Sequence, residues 1–377
     1  MKISVLKEPK TELRIAVIPE VVKKLTDLGC VITLEKGVGH TLHSDSEFKD
    51  AGAKIAAKKA DLFDTDLLLQ VRCPSTKDLK NCKPNTQLLC FMDPFNSEKA
   101  LAICNQAELT TYSIELIPRT TIAQKMDALS SQASLAGYVA ITLAAERLNK
   151  VLPMMMTPAG TIAPAKVFII GAGVAGLQAI ATAKRLGARV EAFDTRPVVA
   201  EQVQSLGAKF LQIDLGETGQ TKDGYAKALT ADQLEKQRAL MASACAGADI
   251  VVTTAQLFGR QAPLIITQSI IDQMQPGSII VDLAVESGGN VAGSELNQEK
   301  NVNGVTIIGL ANLPGYVAKH ASQVYATNLF HFVAEFFDVK KKKIVINKKN
   351  DIMKSVLTTT KGKIVQPLLK ERFKNTK

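Results

Sequence analysis

The chain has 377 residues, of which 46% are hydrophobic, and its formal net charge at pH 7 is +10. This length exceeds that of one ordinary domain, so we expect two domains with large cores. Tryptophan is absent and tyrosine occurs 5 times, which argues against aromatic platforms that stack nucleic-acid bases.

The positive charge is concentrated near the C-terminus. Residues 339–377 hold 13 Lys and Arg against 2 Asp and Glu, a net charge of +11, which leaves residues 1–338 at −1. We favour a solvated, lysine-rich hairpin that keeps an edge strand soluble. The alternative is attraction to an anionic membrane surface or to an acidic partner.

Several features predict a cytoplasmic chain. The six cysteines have no C-x-x-C spacing, and the apolar run at residues 1–6 is too short for a signal peptide. The uncharged stretch Val167–Ala183 contains three glycines and a change from strand to helix, so we expect no transmembrane span in this chain. His40 and His43 lie in a glycine-flanked loop segment, and we expect no metal site.

The first third of the chain alternates short apolar strands with helices. Helices are predicted from Pro19 to Leu25, with proline in the first turn, and over Ser46–Ala57. The predicted strands are Ile3–Lys7, Cys30–Leu34, Leu67–Val71, Gln87–Met92 and Leu109–Ile114. This alternation predicts a mostly parallel sheet with helices on both faces.

A second β/α series begins at Lys166. A helix over residues 138–150 is predicted to bridge two domains, and Val151–Ala165 is predicted as a loop. The predicted strands of the second series are Val167–Ile170, Val190–Phe193, Lys209–Ile213, Ile250–Thr253, Ile279–Asp282 and Val305–Ile308. Residues 214–232 are polar and contain several glycines, which predicts a mobile loop.

The last part of the chain is predicted to return to the first domain. Lys319–Phe337 has the apolar period of a helix, and Lys343–Ile346 and Lys363–Val365 are predicted to pair as a terminal hairpin. We therefore predict two doubly wound, Rossmann-like α/β domains with a cleft between them. Residues 1–135 and 316–377 form the first domain, and residues 136–315 form the second.

A dinucleotide-binding fingerprint opens the second domain. Gly171, Gly173 and Gly176 form a G-x-G-x-x-G motif that follows an apolar strand and starts a helix at Val174 and Ala175. In such a unit the first glycine allows the tight turn, the second lets the backbone approach the pyrophosphate, and the third lets helix and strand pack closely. The helix N-terminus offers free N–H groups to the phosphates. A structural Rossmann domain without cofactor is the alternative.

An acidic residue ends the next predicted strand. Asp194 is expected to accept hydrogen bonds from the hydroxyls of the adenosine ribose, and its charge would repel the 2′-phosphate of NADP(H). This favours NAD(H). Arg196, two residues on, could receive a 2′-phosphate and leaves NADP(H) open at this point.

A polar segment lies about thirty residues before the fingerprint. Residues 118–138 include Arg119, Gln124, Asp127 and Ser130. Proline and two threonines predict that the segment begins as a loop, and apolar residues at helical spacing predict that it ends as a helix. Such a loop ahead of a cofactor domain could organise hydride chemistry; a linker with a well-capped helix is the alternative.

Together these motifs resemble the alanine dehydrogenase/transhydrogenase family, and within it the NAD(H)-binding soluble alpha subunit, or domain I, of proton-translocating NAD(P) transhydrogenase. The resemblance covers nearly the whole chain. The matching segments are Lys7–Pro9, Arg14–Pro19, Glu115–Arg119, Gln124–Gln132, Gly171–Gly187, Gly224–Lys227 and Asp282–Asn290. The loop at 119–132 and the Gly-Tyr-Ala-Lys loop are specific to the transhydrogenase branch.

The resemblance implies roles for individual residues. The loop that holds the nicotinamide and its ribose is matched by Arg119, Gln124, Asp127 and Ser130. The dinucleotide site is matched by Gly171, Gly173, Val174, Ala175, Gly176 and Asp194. Tyr225 matches the tyrosine of a mobile loop that closes over bound nucleotide, and Thr254 and Ala255 match the lining of the adenosine side.

The resemblance also implies an activity and partners. It implies reversible, direct hydride transfer between NAD(H) on this chain and NADP(H) on a partner domain, with proton translocation by membrane partners on other chains. It further implies a homodimer, peripheral at the inner membrane through those partners. A free-standing alanine dehydrogenase-like enzyme and a nucleotide-sensing binding module are the alternatives.

The sequence departs from alanine dehydrogenases at the catalytic positions of that family. Arg72 stands where they have a lysine, Met92 and Asp93 where they have a histidine, and Glu286 where they have an aspartate. Reductive amination needs a proton donor and a base, whereas hydride transfer between two nicotinamides needs close, dry positioning. The departures favour transhydrogenation, and Arg14, which matches a substrate-carboxylate arginine, is interpreted as structural.

Overall fold

A computed structural model of the chain describes residues 1–212, 230–257 and 259–374, apart from the side chains of residues 234, 237 and 374. The chain divides into two compact units. Unit 1 comprises Met1–Gln132 and Gly315–Lys377, and unit 2 comprises Ala133–Pro314.

Unit 1 begins with alternating strands and helices. The strands are β1 (Lys2–Val5), β2 (Val31–Leu34), β3 (Lys54–Ile55), β4 (Leu67–Arg72), β5 (Gln87–Phe91) and β6 (Thr110–Ser113). The helices are α1 (Pro19–Asp27), α2 (Asp45–Asp50), α3 (Thr76–Asn81) and α4 (Glu98–Gln106). The six strands are parallel in the order β3-β2-β1-β4-β5-β6, which is the doubly wound order.

The helix predicted over Ser46–Ala57 is wrong beyond its first half. Ser44 and Glu47 form a capping box that starts α2. Gly52, at φ +100°, ends the helical path, since this backbone conformation suits glycine and not a helix. Residues 54 and 55 then form β3 beside β2.

A long helix, α5 (Ala128–Arg147), runs across the division between the units. The helical end predicted for residues 118–138 is confirmed, and the helix predicted over residues 138–150 continues it, although α5 ends at Arg147. By length and composition α5 is apolar enough to cross a membrane, but this is weak evidence because core helices of soluble proteins meet the same criteria. The expected absence of a membrane span stays a prediction.

Unit 2 contains the second β/α series. Its strands are β7 (Met155–Thr157), β8 (Gly160–Ile162), β9 (Lys166–Ile170), β10 (Arg189–Phe193), β11 (Lys209–Phe210), β12 (Ile250–Thr253), β13 (Ile279–Asp282), β14 (Gln298–Val302) and β15 (Val305–Gly309). Its helices are α6 (Val174–Arg185), α7 (Ala200–Ser205), α8 (Ala231–Ala246) and α9 (Gln268–Ile271). The sheet order is β11-β10-β9-β12-β13-β15-β14, with β14 antiparallel at the edge.

One predicted loop of unit 2 is a hairpin. Residues 155–157 and 160–162, within the predicted loop Val151–Ala165, pair as antiparallel β7 and β8 in a separate two-stranded sheet. Short strands next to proline and consecutive methionines give little periodic signal, so the prediction was wrong here. The predicted loop at 214–232 falls almost entirely outside the described residues.

The chain then completes unit 1. The elements are α10 (Ala318–Phe336), β16 (Phe337–Asp338), β17 (Lys343–Ile344), α11 (Asp351–Val356), β18 (Leu357–Thr360), β19 (Lys363–Ile364) and α12 (Pro367–Lys374). Antiparallel β18 and β19 extend the unit 1 sheet beyond β6. The predicted terminal hairpin is wrong, because β17 pairs with β16 and β19 pairs with β18.

The fold class predicted from the sequence is confirmed: both units are Rossmann-like, with parallel sheets between helices. In unit 2, β12 and β13 are buried along their whole length. In unit 1, β4 is buried except at Arg72. Polar residues that follow such strands therefore stand at the carboxyl edge of each sheet, where ligands of doubly wound folds bind.

Candidate functional site

The glycine-rich turn of unit 2 links β9 to α6. Gly171 has φ +97°, and its N–H donates to the carbonyl of Phe193 at 2.8 Å. The Thr254 hydroxyl donates to the carbonyl oxygen of Gly171 at 3.0 Å, and a Cβ on Gly171 would overlap this hydroxyl. The turn therefore requires glycine both for its backbone angle and for the contact with Thr254.

The other two glycines have opposite surroundings. A Cβ on Gly176 would overlap the carbonyl oxygen of Gly171, whereas no described atom lies within 4 Å of a Cβ on Gly173. Gly173 is the residue that caps α6, and it has no side chain to accept the first N–H groups of the helix. Gly176 thus serves internal packing, and Gly173 leaves space and N–H donors at the helix start. These features fit a dinucleotide pyrophosphate.

This contrast predicts different effects for two alanine substitutions. Gly176→Ala should lower the free energy of unfolding by about 1–3 kcal/mol, because its methyl group meets backbone. Gly173→Ala should leave the thermal midpoint of the free chain within ~1 °C while weakening NADH binding at least tenfold (~1.4 kcal/mol). Differential scanning calorimetry and NADH titration test both. Equal loss of stability in the two variants would contradict the assignment.

Asp194 follows β10 and is held by four donors. Its Oδ2 accepts from the N–H of Ala172 at 2.7 Å and from Nη2 of Arg196 at 2.8 Å. Its Oδ1 accepts from the N–H of Arg196 at 2.8 Å and from its Nε at 2.9 Å. The hydrogen bond with Asp194 raises the pKa of Arg196. In this arrangement the carboxylate is paired within the chain.

Thr254 and Ala255 stand at the end of β12. Thr254 braces the glycine turn, and the N–H of Ala255 donates to Oδ1 of Asn290 at 3.1 Å. Nδ2 of Asn290 donates to the carbonyls of Ala255, at 2.9 Å, and Pro263, at 2.8 Å. Buried Asp282 accepts from the N–H of Asn290 at 3.0 Å. Asn290 thus fixes the backbone at Ala255.

Sequence reasoning gave no role to Asn290, although its segment matched the family. A buried side-chain amide that bonds three backbone groups leaves no periodic signal. Burial raises the pKa of Asp282, while hydrogen bonds from the backbone N–H groups of Ala284 and Asn290 and from the Thr253 hydroxyl oppose the rise. Both residues organise the loop after β13.

The polar segment of unit 1 ends in a capped helix. Asp127 directly precedes α5, and its carboxylate accepts from the N–H of Ser130 at 2.9 Å and from the Ser130 hydroxyl at 2.5 Å. Residues 124–126 form one turn of 3₁₀ helix just before it. Asp127 and Ser130 are therefore close together, and Asp127 caps the N-terminus of α5.

Contacts with α10 anchor the same segment. Asn328 on α10 accepts from the Ser131 hydroxyl at 2.7 Å and donates to the carbonyl of Lys125 at 2.9 Å. Gln132 donates to the carbonyl of Ala321 at 3.1 Å and accepts from Nη1 of Arg14 at 2.9 Å. These buried and half-buried bonds anchor the segment on both sides of Asp127, at the Lys125 carbonyl before it and at the side chains of Ser131 and Gln132 after it.

Gln124 and Arg119 are exposed on this anchored segment. The N–H of Gln124 donates to the carbonyl of Thr120 at 3.0 Å. Ala123 and Met126 are fully buried, so the turn that carries Gln124 is packed on one side and open on the other. The structure brings Asp127 and Ser130 together and places Gln124 on the preceding turn.

A buried ion cluster supports Gln132. Arg14 and Glu12 have side chains 3% exposed, and Arg14 donates from Nε at 2.8 Å and from Nη2 at 2.7 Å to the Glu12 carboxylate. Nε of Arg72 donates to the same carboxylate at 3.0 Å. Burial alone would raise the pKa of Glu12, but the hydrogen bonds and charge of Arg14 and the charge of Arg72 lower it to about 2.

Glu8 lies beside this cluster at the carboxyl edge of the sheet. It accepts from the N–H of Val71 at 2.6 Å and is 5% exposed. Burial raises the pKa of Glu8 from 4.5 to about 8, although hydrogen bonds from backbone N–H groups oppose the rise. Burial also raises the pKa of Glu115 to about 7.

These shifts predict a pH dependence. Because the folded chain binds the Glu8 proton more tightly than the unfolded chain, this contribution to stability is complete below pH 4.5 and is lost as pH rises toward 8. Urea unfolding at a series of pH values measures how the free energy of unfolding falls between pH 4.5 and 8. Glu8→Gln should make this fall shallower by up to ~1.4 kcal/mol per pH unit. Exposed Glu235→Gln is the matched control. A profile that stays as steep in Glu8→Gln would refute the assignment.

The positions that the resemblance matches to catalytic residues of alanine dehydrogenases have other surroundings here. Arg72 pairs with Glu12, Met92 is buried, and the N–H of Asp93 donates to Oε1 of Glu115 at 2.6 Å. Glu286 is exposed and accepts from the N–H of Asn312 at 3.2 Å. The described parts of both units thus show no imidazole or lysine amine at these positions.

Tyr225 falls outside the described residues. Among the described residues, no group of three His, Cys, Asp or Glu side chains could hold a metal ion; the expected absence of a metal stays a prediction.

Comparison with known proteins identifies the family. The model of the alanine dehydrogenase/PNT N-terminal domain matches residues 4–136, and that of the C-terminal domain matches residues 140–367. A curated relative from Rickettsia prowazekii, named as the first part of an NAD(P) transhydrogenase subunit alpha, is 39% identical over 100% of this chain and 99% of its own length.

Solved structures agree. A transhydrogenase from Sinorhizobium meliloti is 41% identical, covers 98% of this chain and 100% of its own, and has a TM-score of 0.85. An L-alanine dehydrogenase, 23% identical over 100% of both chains, has a TM-score of 0.84 and shows the shared fold. The predicted resemblance is confirmed: the chain belongs to the alanine dehydrogenase/PNT family, on the branch of the NAD(P) transhydrogenase alpha subunits, and is an oxidoreductase.

Proposed function

We propose that this chain binds NAD(H) and exchanges hydride, directly and reversibly, with NADP(H) on a partner domain. The observation that carries the proposal is the complete glycine turn, which leaves open space beside Gly173. In addition, the positions matched to catalytic residues of alanine dehydrogenases hold other residues in this chain. Bound NAD(H) would donate or accept the hydride. The chain itself needs only to bind the nucleotide, orient its nicotinamide and keep water away from it.

The residues of unit 2 would hold most of the dinucleotide. The pyrophosphate would lie at the N-terminus of α6, close to the backbone of Gly173, Val174 and Ala175, where N–H groups and the helix dipole favour an anion. The adenosine would be bound by Asp194, Thr254 and Ala255. Gly171 and Gly176 would act indirectly by shaping the turn.

The polar segment of unit 1 would hold the nicotinamide and its ribose through Arg119, Gln124, Asp127 and Ser130. Supporting this role, the backbone around Asp127 is fixed by α10, which is the rigid mounting that positioning requires. We further propose that Tyr225 belongs to a loop that closes over bound nucleotide.

We also propose that the chain has two functional domains. The first comprises residues 1–135 and 316–377, and the second comprises residues 136–315.

The alternative is an alanine dehydrogenase-like enzyme, for which a proton donor and base must lie at the substrate. Arg14, the expected carboxylate ligand, is buried and donates to Glu12 and Gln132, which favours a structural role. NADH oxidation should be measured with the chain alone, with pyruvate and ammonium, and with an NADP⁺-loaded transhydrogenase domain. We expect oxidation only in the third mixture; oxidation in the second would support the alternative.

Partner subunits are implied by the names of the relatives, which are alpha subunits of a transhydrogenase. We propose that an NADP-binding domain and a membrane domain are provided by other chains, and that the membrane partners couple hydride transfer to proton translocation. The chain would then be cytoplasmic and peripheral at the inner membrane through these subunits.

We also propose a homodimer, formed through the β7–β8 hairpin. Met154, Met155, Met156 and Ile162 are exposed there, and Met156 is 81% exposed. An apolar arm of this kind is unusual on a monomer and suits burial against a second copy.

The hairpin gives a testable prediction. Met156→Glu should shift the chain from dimer to monomer in light scattering at micromolar concentration, because a charge would be buried in the interface. Met156→Leu, which keeps the apolar side chain, should remain dimeric. A dimer that tolerates the glutamate would mean that the hairpin is not the interface.

A further inference from the structure

The Asp194–Arg196 pair has a consequence for nucleotide selection. A carboxylate has about four acceptor positions on its two oxygens, and all four are filled: one by the N–H of Ala172 and three by Arg196. The side chains of Asp194 and Arg196 are 6% and 13% exposed. The carboxylate that should receive the adenosine ribose is therefore covered by the arginine.

The three bonds from Arg196 divide into two kinds. Its backbone N–H lies close to the carboxylate because of the chain path after β10, and this bond does not depend on the side chain. Nε and Nη2 belong to the guanidinium and end on different oxygens, Oδ1 and Oδ2. If the guanidinium turns away, one acceptor position opens on each oxygen. Two hydroxyls of a ribose need two such positions.

We propose that Arg196 determines nucleotide specificity by competing with the adenosine ribose for Asp194. In the free chain the guanidinium occupies the positions that the hydroxyls need, and NADH must displace it. The same positive charge neutralises Asp194 and lessens its repulsion of a 2′-phosphate. Arg196 therefore lowers the affinity for NADH and narrows the preference for NADH over NADPH. This inference rests on the proposed binding of NAD(H).

A purely structural role of Arg196 makes a different prediction. Arg196 precedes a short 3₁₀ helix, Pro197–Val199, that leads into α7. If the guanidinium only braced this segment, its loss would disturb the adenosine side and weaken both nucleotides. The two roles therefore differ in the sign of the change for NADH.

The test is titration of the purified chain with NADH and NADPH by calorimetry, for wild type, Arg196→Gln and Arg196→Ala. We expect NADH to bind about tenfold more tightly to both variants, corresponding to ~1.4 kcal/mol, and NADPH to bind no more tightly than to wild type. Arg189→Gln removes an exposed arginine from the start of β10 and should change neither affinity by more than about twofold. Thermal midpoints report whether each variant is folded.

The outcomes separate the two proposals. Weaker or unchanged NADH binding in both variants, with wild type binding NADH, would overturn the role of Arg196 and leave the proposed function intact. Failure of the wild-type chain to bind either nucleotide would overturn both. If Arg196→Ala is unstable, Arg196→Gln decides alone, because a neutral amide competes for Asp194 more weakly than the charged guanidinium does.

Discussion

Replacing Gln124 by asparagine is expected to slow hydride transfer by about 10- to 100-fold, while NADH affinity changes less than about twofold. The side chain stands exposed on a one-turn 3₁₀ helix. Asn328 bonds the Lys125 carbonyl and the Ser131 hydroxyl, which lie on either side of Asp127, and these bonds oppose a backbone shift that would compensate for a shortened side chain. Withdrawing the amide by one methylene misplaces it by ~1 Å, and displacements of this size can cost about 10²-fold in rate.

Stopped-flow measurement of single-turnover transfer, beside an NADH titration, separates these effects. Gln106→Asn is the matched control, because Gln106 is an exposed glutamine at the end of α4. Its rate should equal that of the wild type. A Gln124→Asn chain that transfers hydride at the wild-type rate would remove Gln124 from the site, and a parallel loss of NADH affinity would make it a binding residue only.

Replacing Glu12 by alanine is expected to lower the free energy of unfolding by about 3–5 kcal/mol, because Arg14 would be left as a buried charge without its carboxylate. Both side chains are 3% exposed. The exposed pair of Lys24 and Glu20 provides the control: Glu20→Ala should cost no more than about 1 kcal/mol. The midpoint of urea unfolding measures both.

The stability from Glu12 has a defined pH range. Its folded pKa of about 2 lies below the ordinary 4.5, so the contribution is present above pH 4.5 and is lost as pH falls through 2. The double variant Glu12→Leu with Arg14→Met should recover part of the stability, since it leaves neither member of the pair as a lone buried charge. If Glu12→Ala costs no more than Glu20→Ala, the cluster does not stabilise unit 1.

The Glu12 cluster also bears on the loop. Arg14 donates to Gln132, the residue that follows Ser130 and Ser131 at the start of α5. Substitution of an exposed residue such as Glu20 would leave this buried hydrogen bond unchanged. We therefore expect Glu12→Ala to slow hydride transfer as well, even under conditions where the chain stays folded.

The buried parallel strands of the two β/α series were predictable from the sequence. Strands such as Ile250–Thr253 and Ile279–Asp282 have the predicted bounds, because buried parallel strands are continuous apolar runs between turn residues. The G-x-G-x-x-G unit was equally clear, since its spacing follows from the turn, the ligand and the packing together.

Pairing between short strands was not predictable. Residues 343–344 could pair with either neighbour, and contact with residues 337–338, set by the end of α10, decided the outcome. The β7–β8 hairpin was missed because its apolar side chains face outward. In the site, the sequence predicted a role for Asp194 but not the four hydrogen bonds that its carboxylate accepts. These bonds come from two separate segments, the turn at Ala172 and the residue Arg196, and the sequence does not show that both meet the carboxylate.

The most direct test of the proposed function follows the hydride itself. The chain is mixed with NADH carrying deuterium at the transferred position of nicotinamide C4 and with an NADP⁺-loaded transhydrogenase domain, and the NADPH formed is analysed by mass spectrometry. Direct transfer predicts that NADPH retains the deuterium and forms only when both proteins are present. NADPH that contains solvent hydrogen, or the absence of NADPH with a partner domain shown to be active, would contradict it.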